Sequence, residues 1–204
     1  MSFDNYAKNW DTDIRINRAK VIANEIQNVL GYRKNCAAME FGCGTGLIGF
    51  NLIDSFKSIT LIDSSKNMIA ILNEKIKKYN INNMKAYKLD ITSNEKIVGK
   101  YDVIYNSMVL HHIWDTESII KEFYELLNDE GELCIVDLNK EDGKFHKKEI
   151  GFEGHNGFSQ NKFKDILTNA GFKDIEINTF FYGEKNIDNE KINYSLFIVN
   201  AKKI

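Results

Sequence analysis

The sequence predicts an α/β fold in which a mostly parallel sheet is covered by helices on both faces, and three observations predict it. Short apolar runs alternate with segments of helical periodicity along residues 19–138, which is the pattern of strand–helix–strand units with right-handed crossovers. Three alternating glycines stand in residues 42–46, directly after the first apolar run. Two β-rich runs, at 173–182 and 192–202, close the chain and should pair as an antiparallel hairpin.

Each predicted element follows from a local pattern. The first helix, over residues 19–30, has its apolar side chains on one stripe and ends at Gly31, as helices commonly end at glycine. Runs of β-branched and apolar residues predict strands at 36–41, 59–62, 84–89, 101–106 and 132–136. Helical spacing predicts helices at 45–56, 68–79, 115–127 closing near Gly131, and 159–170 ending at Gly171. Asp63 or Ser64 is expected to cap the second of these four helices.

Residues 139–158 break this alternation. They are polar, contain glycine and show no clear periodicity, and a loop of this length is uncommon unless it is functional. We therefore expect a substrate loop here. The length favours one domain over residues 1–204, with residues 1–30 as an N-terminal helical cap segment.

Composition and charge limit the kinds of partner. The net charge is −2 and the pI about 6.1, so no overall basic field attracts nucleic acid, although residues 144–148 form a local basic cluster. No apolar run approaches the roughly 20 residues of a spanning helix, and the first residues do not resemble a signal peptide. We expect a cytoplasmic protein with no membrane partner. The three cysteines lack metal-ligand spacing, so no metal is expected.

Four notable positions fall at the carboxyl ends of predicted strands. The turn at Gly42 follows strand one, Asp63 strand two, Asp90 strand three and Asn106 strand four. Ligands of open α/β sheets bind at this edge, near the point where the strand order reverses. A fixed carboxylate one strand away from the glycine turn can accept both hydroxyls of a ribose. The dinucleotide-binding fingerprint G-x-G-x-x-G would need a third glycine at Leu47, whereas the third glycine of this turn is Gly46. The turn therefore does not match the fingerprint of a dinucleotide-binding site.

These positions resemble the ordered motifs of the class I S-adenosylmethionine-dependent methyltransferases. The motifs are Glu40-Phe41-Gly42-Cys43-Gly44-Thr45-Gly46, Leu61-Ile62-Asp63-Ser64-Ser65-Lys66-Asn67-Met68, Leu89-Asp90-Ile91 and Tyr101-Asp102-Val103-Ile104. The likeness covers residues 35–138 in detail. It implies a Rossmann-like, doubly wound sheet of seven strands that ends in an antiparallel C-terminal hairpin strand. The implied cofactor is S-adenosyl-L-methionine, with S-adenosyl-L-homocysteine as its product.

The resemblance also implies where the cofactor lies. Its methionine part would be held by the glycine turn, that is by Glu40, Gly42, Cys43, Gly44 and Gly46. Its ribose would be held by Asp63 and its adenine by Asp90 and Ile91, while Asn106 would border the cofactor and the acceptor pocket. The remaining members of the implied cofactor-binding set are Ser64, Met68, Tyr6 and Trp10. For Tyr6 and Trp10, contact with the sulfonium and ordinary packing both stay open.

Three histidines are candidate catalytic residues. A methyl group on a sulfonium is already electrophilic, so positioning can suffice, and a base helps only where the acceptor must lose a proton. His111 and His112 follow strand four, and His155 precedes the last helix on the expected substrate side. Each can equally be a hydrogen-bonded structural residue.

The acceptor is expected to be a small molecule. The segment after strand four, Asn106-Ser107-Met108-Val109, lacks the Asn/Asp-Pro-Pro-aromatic arrangement of many nucleic-acid and glutamine methyltransferases. An RNA or protein methyltransferase, supported by the basic cluster at 144–148, and a nonenzymatic cofactor-binding relative stay open. A dinucleotide-dependent oxidoreductase is a more distant alternative. The assembly is expected to be a monomer or a homodimer.

Overall fold

The computed structural model describes residues 3–90, 95–149, 151–188 and 190–204. Its five α-helices within these ranges are α1 (Asp13–Leu30), α2 (Leu47–Asn51), α3 (Lys66–Lys78), α4 (Thr116–Leu126) and α5 (Gln160–Ala170). The strands are β1 (Arg33–Phe41), β2 (Phe56–Asp63), β3 (Met84–Lys88), β4 (Tyr101–Ser107), β5 (Leu127–Leu138), β6 (Lys173–Ile187) and β7 (Glu190–Lys202). Short 3-10 turns cover Phe3–Asn5, Ala7–Asn9 and Leu110–His112.

The strands form one seven-stranded sheet in the order β3-β2-β1-β4-β5-β7-β6. All neighbouring pairs are parallel except the two that involve β7, which runs antiparallel to both β5 and β6. The predicted fold class is therefore confirmed, including the antiparallel strand of the C-terminal hairpin. Because β2 and β4 leave β1 on opposite sides, the strand order reverses between β1 and β4, which is where open sheets bind ligands.

The central part of the sheet, in β1, β4 and β5, is buried on both faces, as parallel sheets covered by helices are. Side chains of β1 alternate between the two layers: Ala38 belongs to the core under α1 and α3, and Met39 and Phe41 belong to the core under α4 and α5. The buried end of β1 thus reads as a continuous apolar run interrupted only by the carboxyl group of Glu40. Within the described residues, every helix is too short or too polar to cross a bilayer.

Local capping sets the helix starts near the site. The N-cap of α3 is Ser65, whose Oγ accepts from Met68 N–H at 3.2 Å, so the predicted cap at Asp63 or Ser64 was wrong by one or two residues. Asp63 is occupied elsewhere, as described below. The cap of α4 is Asp115, which accepts from Ser118 N–H at 3.0 Å.

Several predicted boundaries differ from the structure: α1 begins at Asp13 rather than at residue 19, and β1 and β2 each begin three residues earlier than predicted. Helix α2 spans Leu47–Asn51 rather than 45–56, because the chain turns at once into β2. Helix α4 stops at Leu126 and β5 starts at Leu127, whereas the sequence predicted a helix closing near Gly131. The polar stretch 183–191 lies largely inside the hairpin, since an edge strand needs backbone pairing to β7 rather than a continuous apolar face.

Candidate active site

Backbone hydrogen bonds to the neighbouring strand shape the glycine turn between β1 and α2. The N–H groups of Gly42 and Cys43 both donate to the carbonyl oxygen of Ile62, at 2.8 and 3.0 Å. Gly42, Gly44 and Gly46 have φ of 71°, 53° and 83°, a region that L side chains rarely adopt. The turn is therefore held against the end of β2, on the strand that carries Asp63.

Two of these glycines face different surroundings. A Cβ atom at Gly42 would lie 2.3 Å from Val109 Cγ2, inside the contact distance of any real side chain. A Cβ atom at Gly44 would meet nothing closer than Trp10 Nε1 at 3.5 Å. Gly42 thus allows the segment after β4 to pack on the turn, whereas a Cβ atom at Gly44 would make only an ordinary contact with Trp10.

The carboxylate of Asp63 joins the turn to the start of α3. Its Oδ2 accepts from Gly44 N–H at 2.7 Å and its Oδ1 accepts from Ser65 N–H at 2.8 Å. Burial raises the pKa of Asp63, although these two hydrogen bonds oppose the shift. Each oxygen retains a second acceptor site, so the carboxylate can bind two further hydroxyls.

Asn106 at the end of β4 is buried and unpartnered. It pairs in the sheet with Phe41 of β1 and Ile135 of β5 and is 0% exposed. Neither its Nδ2 nor its Oδ1 has a hydrogen-bond partner within the described parts of the chain. Leaving a buried amide unsatisfied costs about 1–3 kcal/mol, so this side chain is suited to a polar ligand at the β1–β4 junction.

The other predicted cofactor residues lie at the same edge or beneath it. Asp90 is partly buried just after β3, and its N–H donates to Glu95 Oε2 at 2.7 Å. Ile91 lies outside the described residues. Ser64 is exposed beside Asp63, whereas Met68 is buried in the first turn of α3.

The N-terminal segment is tied across these strand ends by two acids. Asp4 Oδ1 accepts from Ser65 Oγ at 2.6 Å and from Asn67 N–H at 3.0 Å. Asp11 accepts from Thr45 Oγ1 and pairs with Lys75 Nζ, each at 2.5 Å. The segment therefore covers both the glycine turn and the start of α3.

The two aromatic residues predicted in this segment differ in position. Trp10 lies next to Gly44 and stacks under the guanidinium of Arg15, whose Cζ is 4.2 Å from the ring centroid. Tyr6 remains 49% exposed. Only Trp10 is thus placed directly against the turn.

Glu40 lies under the turn, closed off from solvent. Its Oε2 accepts from Tyr105 Oη at 3.3 Å, and Gly49 N–H also donates to it. Burial raises the pKa of Glu40 to about 8, partly offset by these hydrogen bonds. This carboxyl group connects β1, β4 and α2 and supports the turn from below.

A pH titration of stability tests this environment. The pKa of folded Glu40, about 8, exceeds its ordinary 4.5, so the folded state retains a proton that the unfolded state loses as pH rises. The stability contributed by neutral Glu40 is complete below pH 4.5 and is lost as pH rises through about 8. We expect Glu40→Gln to remove this part of the pH dependence, a change of a few kcal/mol, on the order of 1.4 kcal/mol per pKa unit.

Urea unfolding at pH 5, 7 and 9 measures the effect, with Glu74→Gln on the exposed side of α3 as the control. The control should retain the pH dependence of the unchanged protein. Equal pH dependence in the Glu40→Gln protein would show that Glu40 does not titrate as described.

A buried Asp–His pair lies beside this site. His111 Nδ1 is 2.5 Å from Asp137 Oδ1, and His111 N–H donates to Asp137 Oδ2 at 3.3 Å. Asp137, at the end of β5, is 0% exposed, and Leu138 N–H also donates to it. The carboxylate holds the Nδ1–H tautomer of His111 and leaves Nε2 as the acceptor.

His111, His112 and His146 form one cluster. The ring of His111 lies 4.2 Å from that of His112 and 5.0 Å from that of His146, which stacks on Phe152 at 3.9 Å. Burial, followed by the proximity of the His111 imidazole, lowers the pKa of His112 to about 2 and that of His146 to about 3. Both imidazoles are neutral at physiological pH. Because they are such weak bases, they would contribute little as general bases at that pH.

His155 is placed apart from this cluster. Its Nε2 lies 3.0 Å from the carbonyl oxygen of Ile113 and 3.1 Å from that of Trp114, so Nε2 carries the proton and donates. Its backbone N–H donates to His111 O at 2.7 Å. These bonds anchor the end of the 139–158 loop. His155 also lines an open cleft of about 570 Å³ between α4 and α5, which includes none of the predicted cofactor residues.

The 139–158 loop folds back on itself over the strand ends. Lys140 N–H donates to Phe158 O at 2.9 Å and Phe158 N–H to Leu138 O at 2.8 Å, which closes its base. Phe145 and His146 are buried inside it. The loop, although polar in sequence, therefore contributes buried side chains to this edge of the sheet.

The local basic cluster at 144–148 is neutralised. Lys144 pairs with Asp142 at 2.6 Å, Lys147 with Glu190 at 3.3 Å and Lys148 with Asp188 at 2.6 Å. His146 is buried rather than presented at the surface. The cluster that supported an RNA or protein substrate thus offers no unpaired basic patch.

Several site residues escaped the sequence analysis. Asp137 was detectable, since it closes a buried apolar strand as Asp63 and Asn106 do. His146 stands within the basic cluster at 144–148, which gives no signal of burial, and Asp4 and Asp11 give no periodic signal. Their roles depend on where the loop and the N-terminal segment fold.

Comparisons with known proteins agree with this arrangement. A family model described as a methyltransferase domain matches residues 39–133. An uncharacterized methyltransferase of Schizosaccharomyces pombe is 29% identical over 170 residues, covering 76% of this chain and 60% of that protein. The ubiquinone biosynthesis O-methyltransferase of Pelagibacter ubique is 34% identical over 108 residues, covering 52% of this chain and 44% of that protein. The chain thus spans about half of the length of these relatives.

A solved structure gives the fold. Phosphoethanolamine N-methyltransferase 2 of Haemonchus contortus, in complex with phosphomonomethylethanolamine and S-adenosylhomocysteine, superposes with a TM-score of 0.73 at 16% identity. The match covers 92% of this chain and 52% of that one. With the motifs, the matched family model and the sheet order, these findings support the assignment of the chain to the class I S-adenosylmethionine-dependent methyltransferases.

Proposed function

We propose that this chain transfers a methyl group from S-adenosyl-L-methionine to a small-molecule acceptor. The observation that carries the proposal is the Asp63 carboxylate, which the N–H groups of Gly44 and Ser65 hold at the end of β2 beside the glycine turn. This is the geometry expected of an acceptor for two ribose hydroxyls. The unpartnered amide of Asn106 at the adjacent strand end supports it.

The residues at this edge suit the proposed cofactor. The open side of Gly44 accommodates the amino-acid end of the cofactor, with Gly42, Cys43 and Gly46 shaping the turn and Glu40 supporting it. Asp63, flanked by Ser64, would bind the ribose and Asp90 with Ile91 the adenine. Asn106, Met68, Tyr6 and Trp10 complete the proposed set, with Trp10 as a wall beside Gly44.

The bound cofactor supplies an electrophilic methyl group on its sulfonium. The protein must align the acceptor with that group and keep water out. The N-terminal segment, which Asp4 and Asp11 hold by hydrogen bonds, and the folded 139–158 loop both cover the strand ends. In this proposal they exclude water and help to align the acceptor. His111, oriented by Asp137, faces the acceptor side in our proposal, His112 lines it as a neutral group, and His155 positions the loop.

Two observations favour a small acceptor. The lysines of residues 144–148 are paired with carboxylates, so they do not form a surface for nucleic acid. The curated relatives include a ubiquinone biosynthesis O-methyltransferase and a phosphoethanolamine N-methyltransferase, names that point to small-molecule acceptors.

Calorimetric titration with S-adenosyl-L-homocysteine tests the cofactor proposal. We expect one binding event per chain, and its absence would remove the proposal. Transfer of a labelled methyl group from the cofactor into a fractionated cell extract then tests the acceptor. Label in the low-molecular-mass fraction supports the proposal; label in RNA or protein would replace the proposed acceptor class, and binding without transfer would identify a nonenzymatic relative.

We further propose that residues 1–204 act as one methyltransferase domain, with residues 1–30 as its cap segment and 139–158 as its substrate loop. A cytoplasmic location is proposed because Cys36, Cys43 and Cys134 are free thiols, which suits a reducing compartment. The proposed assembly is a monomer or a homodimer.

A further inference from the structure

Three histidines that are distant in sequence converge at the carboxyl edge of the sheet. His111 and His112 lie in the turn after β4, and His146 lies in the 139–158 loop. One ring nitrogen from each of the three lies within 4.8 Å of the other two. Val109, two residues before His111, packs on Gly42 of the glycine turn, so the cluster adjoins the proposed cofactor site.

The spacing suits a metal ion. For three atoms that are at most 4.8 Å apart, there is always a point that lies within about 2.8 Å of all three. Metal–imidazole bonds to zinc are about 2.0–2.1 Å long, so shifts of less than about 1 Å per ring bring all three nitrogens to binding distance. Two of the three side chains are buried and His112 is partly exposed, which leaves a route for an ion and for a further ligand.

The surroundings of His111 match those of a metal ligand. Its Nδ1–H is bonded to the buried carboxylate of Asp137 at 2.5 Å, which directs Nε2 away from Asp137. A carboxylate that fixes the tautomer and raises the basicity of a ligating imidazole is the usual second partner of histidine in metal sites.

Buried polar atoms around His146 need a partner. Nδ1 of His146, Oε2 of Glu149 and Oε1 of Glu141 are all buried without a hydrogen-bond partner among the described residues. Glu149 Oε1 lies 3.9 Å from His146 Nε2. These atoms belong to one loop, and an ion at the cluster with its bound water would satisfy those of His146 and Glu149.

The charges also favour a cation. Asp137 touches the cluster directly and Glu149 lies beside it, with Glu141 in the same loop. The ammonium of Lys185 opposes them, but it donates to Phe145 O at 2.7 Å and lies over the Phe145 ring. The carboxylates of Asp137 and Glu149 therefore lie at the cluster itself, whereas the ammonium of Lys185 is held by the carbonyl oxygen of Phe145.

We propose that His111, His112 and His146 form a binding site for a divalent transition metal of the zinc type, with Asp137 orienting His111. Three protein ligands leave a coordination position open, as in catalytic rather than structural zinc sites. The role of the open position rests on the proposed function: it would take an oxygen, nitrogen or sulfur atom of the methyl acceptor. The site thus selects acceptors that carry a metal-binding group.

Metal titration of the full chain, purified without a histidine tag and stripped with chelator, tests the site. Co²⁺ is the probe because its visible absorption reports coordination, and Zn²⁺ should displace it. We expect one Co²⁺ per chain. His146→Ala should abolish stoichiometric binding, and Asp137→Asn should weaken it by about 10–100-fold. Absence of stoichiometric binding by the unchanged chain would overturn the proposal without reference to any variant.

Asp165→Asn is the matched control for Asp137→Asn, since Asp165 is exposed on α5 and is not part of the cluster. It should retain one Co²⁺ per chain, and His146→Ala should still bind S-adenosyl-L-homocysteine, which also shows that it folds. Unchanged metal binding after His146→Ala would refute the assignment. Metal binding without cofactor binding would leave the site standing and refute the proposed function instead.

Discussion

Changing Asp63 to Asn is expected to weaken the binding of S-adenosyl-L-homocysteine by about 100-fold. The substitution keeps the size of the side chain but removes its charge and turns one acceptor into a donor. That donor then faces the N–H of Gly44 or Ser65, both of which now donate to Asp63. Hydrogen bonds to charged groups contribute about 1.5–3 kcal/mol each, and about 2.7 kcal/mol corresponds to the expected 100-fold change.

Calorimetry measures this effect, with Asp54→Asn as the control because Asp54 is exposed on the loop before β2. The control should bind as the unchanged protein does. Thermal unfolding of both variants separates lost affinity from lost structure. An Asp63→Asn protein that is folded and retains full affinity would exclude Asp63 from the cofactor site.

Alanine substitutions at Gly42 and Gly44 are expected to have different consequences, the first mainly for folding stability and the second mainly for cofactor affinity. Both positions have positive φ, so each alanine carries backbone strain of roughly 1–2 kcal/mol. At Gly42 the new Cβ would also collide with Val109 at 2.3 Å, and we expect a total loss of about 2–4 kcal/mol of folding stability. At Gly44 the Cβ has room, but it occupies the proposed ligand space, so affinity for S-adenosyl-L-homocysteine should fall at least about tenfold.

Urea unfolding and calorimetry on the two variants measure these losses. Adding Val109→Ala to Gly42→Ala should recover part of the stability, because it removes the two nearest colliding atoms. A Gly44→Ala protein that binds the ligand normally would show that the cofactor does not approach the turn there. Equal stability of the two single variants would contradict the packing described at Gly42.

The part of the site that lies on strand ends could be predicted from the sequence. Asp63 and Asn106 each close a buried apolar run, and the parallel sheet brings such ends to one edge. The same reasoning would have found Asp137, had β5 been extended by one residue beyond Val136. Period and strand-end chemistry are local signals, and they remain visible without any knowledge of tertiary contacts.

The histidine cluster could not be predicted in this way. His146 stands 35 residues after His111 in a loop without periodicity, and Lys144, Lys147 and Lys148 flank it. Its burial results from the closure of the loop at Lys140 and Phe158, which is a tertiary event. Likewise, the sequence gives no reason to expect different roles for His111 and His155. In the structure, His111 is paired with a carboxylate and His155 with backbone carbonyl oxygens.

Boundaries failed where tertiary contacts overrode local preference. Leu127 continues the apolar helical periodicity of α4, yet it is the first residue of β5 and pairs there with Tyr101 of β4. Glu130 takes a left-handed φ of 61° in the irregular part of that strand. The polar residues between 183 and 191 lack an apolar face, but their backbone groups pair along β7.

A crystal structure of the chain with S-adenosyl-L-homocysteine tests the central claim most directly. We predict a ligand that lies across the ends of β1, β2 and β3. Its ribose hydroxyls should bond to Asp63, its amino-acid end should lie on Gly44, and its adenine should lie beside Asp90. A ligand bound in the α4–α5 cleft beside His155, or a ribose that makes no contact with Asp63, would contradict the account.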